Sequence, residues 1–132
     1  MQGDCLIATG FYDRFITAEA ITVESIDGLN IPQDIKTDIT KTVDALLSAF
    51  DDNVKKIILF GSYATGKYQP DSDIDLAVAL NGLPDARQRR VYTQAVDVER
   101  SDLLFCTDEQ LSENAQIYRM VNEQGIIIYE QL

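Results

Sequence analysis

A chain of 132 residues, 45% hydrophobic and 25% charged, has the length and balance of one globular domain, which excludes the disordered, collagen-like and disulfide-scaffold classes. Its 22 acidic and 11 basic residues leave a formal charge of −11, a field that repels phosphate backbones, so direct nucleic-acid binding is not expected. Histidine is absent, which removes the usual general base and the commonest zinc ligand and leaves carboxylates to carry any chemistry.

Cys5 and Cys106 lie in apolar runs without partners at metal-ligand spacing, so they read as buried free thiols of a reducing cytoplasm. No apolar run is long enough for a membrane span and no signal-peptide pattern opens the chain, so a cytoplasmic protein without a membrane role is expected.

Residues 1–30 carry strand hints at Cys5-Leu6-Ile7 and Ile21-Thr22-Val23 but no sustained period, and are read as an N-terminal extension before a single domain over 31–132. Ile35, Ile39, Val43, Leu46, Leu47 and Phe50 then recur at helical spacing, which predicts an amphipathic helix over about 32–51. Ile57-Ile58-Leu59-Phe60 is a β-branched apolar run that suits a strand buried on both faces, and Gly61 and Ser62 follow it directly. Between Asp73 and Leu80 the period is two: Ile74, Leu76, Val78 and Leu80 share a buried face, while Asp73, Asp75, Ala77 and Ala79 share the other.

Asn81-Gly82 marks a turn, and Pro84 opens a polar segment to about Gln94 that predicts an exposed helix with Arg87, Arg89 and Arg90 in solvent. Ser101 to Cys106 reads as a third strand with Asp102, Leu104 and Cys106 on one face and Leu103 and Phe105 on the other. Thr107 and Gln110 form a capping-box pattern for a helix to about Gln124, with Leu111, Ala115, Tyr118 and Val121 as its apolar stripe. Gly66 and Gly125 are expected to take positive φ at helix ends, and Ile126 to Tyr129 is a last short strand.

Asp73 and Asp75, two residues apart on a strand, project from one face at a separation that lets them share hard cations such as Mg²⁺. The upstream Gly61-Ser62 turn supplies the complementary half, since glycine admits a phosphate close to the backbone and a short helix over 62–65 would offer free N–H groups and a serine hydroxyl. Asp102 is preferred to Asp97 as the third carboxylate because it starts the better strand, and Asp71 reads as a turn cap outside the site.

Gly61-Ser62, ten residues, then Asp73-Ile74-Asp75 resembles the Gly-Ser-x₁₀-Asp-x-Asp signature of the minimal nucleotidyltransferase family, within the polymerase β-like superfamily. The likeness runs from about 33 to 130 through Pro70-Asp71-Ser72, Asp102-Leu103-Leu104 and Gln124-Gly125-Ile126, and leaves the first 30 residues aside. It implies an α/β (α+β) fold, a small mixed twisted sheet with helices packed on one face. It further implies two Mg²⁺ ions on Asp73, Asp75 and Asp102, with the ATP triphosphate on Gly61 and Ser62.

Members often carry arginine where Thr65 stands here, and Lys67 is the nearby cation that could replace it. The resemblance also implies a separate acceptor, because there is no room for an acceptor-binding domain after Tyr129. Similar proteins act as antitoxins that transfer AMP from ATP to a tyrosine of a HEPN-type helical toxin. Adenylylation of a small molecule is a second reading, and sequestration of a basic partner by an acidic antitoxin without turnover is a third.

Overall fold

The computed structural model describes residues 26–82, 85–87 and 100–131. Helix α1 spans Gln33–Phe50 and buries Ile35, Ile39, Val43, Leu46 and Phe50 of the stripe the helical period predicts, together with Thr42 and Ala49, while Leu47 is only half-buried. Strand β1 is Val54–Phe60, β2 Ile74–Leu80, β3 Ser101–Thr107 and β4 Ile126–Glu130. Between β1 and β2 lies the four-residue helix α2, Ser62–Thr65, and before β4 lies α3, Gln116–Gln124. Strand β1 starts three residues earlier than its apolar run, because Lys55 and Lys56 extend it with half-buried side chains whose stems cover apolar surface.

The sheet order is β3-β2-β1-β4, with β1 antiparallel to both β2 and β4 and β3 parallel to β2. This is the small mixed sheet expected of the chain. A parallel β2–β3 pair needs a crossover connection. That connection covers 81–100, and most of the exposed helix expected there lies outside the described residues, as do the strand hints before 26 and Cys5.

One face of the sheet packs Ile57, Leu59, Ile74, Leu76, Val78, Leu80 and Ile128 against α1, and Ile26 joins the same core. The other face packs Ile58, Phe60, Ala77, Ala79 and Cys106 against Leu111 and Val121. Helix packing on one face therefore describes α1, while α3 covers part of the face that carries the acids. Cys106 is a buried free thiol, and burial, then Asp108, pushes it up to about 11, so it stays protonated and inert. Among the described residues no helix is long and apolar enough to cross a membrane.

Two elements differ from expectation. The Thr107 and Gln110 box forms reciprocally, Thr107 N–H to Gln110 Oε1 at 2.9 Å and Gln110 N–H to Thr107 Oγ1 at 3.1 Å. It opens only a 3-10 turn, Gln110–Ser112, and α3 begins separately after an extended Ala115. Ser112 and Asn114 favour local side-chain bonds over helix interiors. Here Ser112 Oγ donates to Glu109 O and Asn114 Oδ1 accepts from Arg119, so the chain breaks between them and Ala115 is exposed instead of striped. Gly66 takes φ +83 as expected, but Gly125 has φ −70, and its need for no side chain is a close approach described below.

Thr42 is fully buried, its hydroxyl donates to Asp38 O at 2.9 Å, and Ser101 Oγ lies 3.0 Å away. With the Thr42 proton committed, Ser101 is the donor, and this bond ties the first residue of β3 to α1. Thr42→Val leaves the Ser101 hydroxyl without that acceptor, and a stability loss of about 1–3 kcal/mol is expected by urea denaturation, with an unchanged midpoint counting against the tether.

Candidate active site

The antiparallel register places Phe60, the last residue of β1, opposite Asp75, the second of β2. Gly61 therefore enters its turn beside the Asp75 side chain. It has φ +76, a region that favours glycine, and a Cβ there would collide with Asp75 Oδ2 and lie 3.0 Å from Asp75 Cγ. Both properties demand glycine, so the turn lies against the carboxylate with nothing between them.

After Gly61 the chain makes one helical turn. Ala64 and Thr65 N–H both donate to Gly61 O, and Gly66 and Lys67 N–H to Ser62 O, at 2.9 to 3.1 Å. The amides of Ser62 and Tyr63 open this turn and have no acceptor within it. Tyr63 is buried and stacks on Tyr68 with ring centroids 4.7 Å apart, anchoring the turn to the α1 side of the sheet. Thr65 donates to Ser62 O at 3.4 Å, and Lys67 is exposed and makes no salt bridge among the described residues.

The parallel register pairs Asp75 with Asp102, the second residue of β3. Both lie on the sheet face opposite α1, and Asp73, two residues before Asp75, has the same parity. Asp75 is half-buried, Asp73 and Asp102 exposed. Burial chiefly raises the Asp75 carboxyl above its ordinary 3.8, and Asp102 and then Asp73 push it further in the same direction. The structure thus brings together the residues singled out in the sequence: Gly61, Ser62, Asp73, Asp75 and Asp102. Asp71 is an exposed turn residue, its turn closed by Gln69 N–H donating to Ser72 Oγ at 2.7 Å, and Asp97 lies outside the described residues.

Among the described residues no three His, Cys, Asp or Glu side chains converge on a point that could hold a metal ion. The aspartates are nonetheless close enough to act on one another electrostatically. An all-oxygen donor set around a half-buried anion has the chemistry that a hard divalent cation requires. The sequence reading missed one residue here: Gln124, at the end of α3, accepts the Gly61 N–H on its Oε1 at 3.3 Å. The only local signal was the Gln124-Gly125 pair at a helix end.

Because the folded-state value of Asp75 is raised, its contribution to stability is fully present below the ordinary 3.8 and is lost as pH rises through the folded value. In metal-free buffer Asp75→Asn is therefore expected to melt higher than wild type at neutral pH, the gap closing as pH falls toward about 4. A gap that is absent, or constant with pH, would contradict the assigned strain.

Two curated relatives from Methanocaldococcus jannaschii, each bearing the name of a protein adenylyltransferase, are 52% identical over 40 residues and 36% over 39. Each match covers 30% of this chain and only 40% or 39% of the relative's length. A crystal structure from Sulfolobus solfataricus, assigned as a nucleotidyltransferase, superposes with a TM-score of 0.51 at 18% identity over 78% of this chain and 93% of that one, which shows a shared fold. A crystal structure of a toxin-antitoxin with AMP-PNP gives a TM-score of 0.49 at 26% identity, covering 68% of this chain and 72% of that one. The profile of the nucleotidyltransferase domain matches residues 39–125, a segment that holds the turn together with Asp73, Asp75 and Asp102, and the chain belongs to that family.

Proposed function

We propose that this chain transfers AMP from ATP to a protein acceptor, a tyrosine of a HEPN-type helical toxin, and so serves as a cytoplasmic antitoxin. The observation that carries the reading is the contact of Gly61 with Asp75, which joins a phosphate-binding type of turn to a set of carboxylates without a gap. The names of the two relatives favour a protein acceptor. The motif resemblance favours the toxin.

In this reading Gly61 admits the triphosphate close to the turn, and Ser62 holds it through its backbone N–H and hydroxyl. Asp73, Asp75 and Asp102 would hold Mg²⁺, as two ions by the resemblance, and bound cations supply neutralisation of the charge that builds on the phosphates. The acceptor phenol oxygen attacks the α-phosphorus, the new P–O bond forms as the α–β bond breaks, and pyrophosphate leaves. The phenol proton must go to a base, and without histidine in the chain a carboxylate takes it. Asp102, the exposed member on the neighbouring strand, is assigned that role.

The aspartates are tested by incubating the protein with ATP, Mg²⁺ and the helical protein encoded beside it. Mass spectrometry is expected to show one or more AMP units on the partner, and none with Asp73→Asn or Asp75→Asn. If the double variant neutralises the partner as well as wild type, and no mass appears in either case, sequestration by an acidic surface replaces catalysis as the function.

The turn is tested by calorimetric titration with MgATP. Ser62→Ala is expected to weaken binding about fivefold, the share of one neutral hydrogen bond, and Gly61→Val by more, since its side chain meets Asp75 and blocks the approach. Wild-type affinity in Gly61→Val would place the triphosphate elsewhere.

A further inference from the structure

The turn that meets Asp75 on one side is held on another. Gln124 is the last residue of α3, and its Oε1 accepts the Gly61 N–H at 3.3 Å across 63 residues of sequence. What lets it reach is Gly125. Gly125 N–H donates to Val121 O at 2.8 Å, and a Cβ at Gly125 would collide with that same oxygen and with Ile58 Cγ2 on β1. The helix end therefore sits directly on the strand that leads into Gly61, and the Gln124 amide is carried to the turn.

We infer that Gln124 is a positioning residue for the phosphate turn, fixing the Phe60–Gly61 peptide so that the Ser62 and Tyr63 amides keep one orientation. This rests on the nucleotidyltransferase reading above. Glycine has more backbone conformations to lose than any other residue, so a turn opened by Gly61 needs an external constraint to hold a single one. Asp75 limits where the Gly61 Cα can go, and among the described residues it is the Gln124 acceptor that selects the direction of its N–H. No role for Gln124 follows from the carboxylates or from the Gly-Ser pair themselves.

The test is calorimetric titration of MgATP into wild type, Gln124→Met and Gln124→Glu, with the melting temperature of each as a control. Gln124 is exposed, so both variants are expected to melt close to wild type. Methionine has a similar length but accepts no N–H bond, and Gln124→Met is expected to weaken MgATP about fivefold. Glutamate keeps the acceptor and adds a charge. Its deficit relative to wild type at the same salt should shrink to within about twofold as salt is raised from about 0.1 to 1 M, whereas that of Gln124→Met should persist.

Equal MgATP affinity in wild type and Gln124→Met overturns the inference. So does an affinity loss that follows a fall in melting temperature in both variants, or a Gln124→Glu deficit that salt leaves unchanged. A wild-type protein that binds no MgATP is a different failure, of the nucleotidyltransferase reading itself.

Discussion

The contact between Gly61 and the Asp75 carboxylate is the constraint on which the site depends. It is a product of register: Phe60 pairs with Asp75, and the next residue of β1 must pass that side chain. Slipping the pairing by one would turn Asp75 toward α1 and expose Leu76 and Val78, which are fully buried. The apolar side chains on both faces of β1 and β2 therefore hold the register, and the register delivers the carboxylate to the turn. Asp102 arrives by the same logic, opposite Asp75 in the parallel pair.

Holding Asp75 there is unfavourable in the absence of a cation, since it is half-buried and beside two like charges. The opposite end of the sheet is closely hydrogen-bonded. Asn53 and Gly82 exchange two hydrogen bonds, Asn53 Nδ2 to Gly82 O at 3.0 Å and Gly82 N–H to Asn53 Oδ1 at 2.9 Å. Asp52 O accepts from both Asn81 Nδ2 and Gln131 Nε2, at 2.9 and 2.8 Å. These bonds fix the start of β1, the end of β2 and the residue after β4 to one another. The strain sits at the other end of the same strands, where binding chemistry needs it.

Much of this was legible because the signals are local and periodic. The alternation assigns the two faces from Ile74 to Leu80 without ambiguity, and the structure keeps them, although β2 begins at Ile74 and Asp73 lies just before the strand it was read on. A glycine directly after a buried strand predicted a tight turn, and Gly61 makes one. The misreadings came where two local signals competed or where the cause was distant. The Thr107 and Gln110 box is a correct start signal, but Ser112 and Asn114 stop what it starts. Gly125 read as a positive-φ cap because glycines at helix ends usually are, while the actual cause is Ile58, which no neighbouring residue reveals. Gln124 was invisible for the same reason, its partner lying 63 residues upstream.

Asp75 continues a face of β2 that is packed along most of its length. Along the acidic face of β2 the side chains run Asp75, Ala77, Ala79, and the two alanines are fully buried beneath Leu111 and Val121. Small side chains let the covering elements come close, and Gly125 removes the last obstacle where α3 meets Ile58. That face is consequently dry up to the position next to Asp75, and the carboxylate stands at the boundary between packed core and water. Burial is accordingly the largest cause of its raised value, ahead of both neighbouring aspartates. Where α3 ends, Gly125 lies against Ile58 on β1 and Gln124 reaches Gly61, so the packing of this face continues without a break into the constraint on the turn.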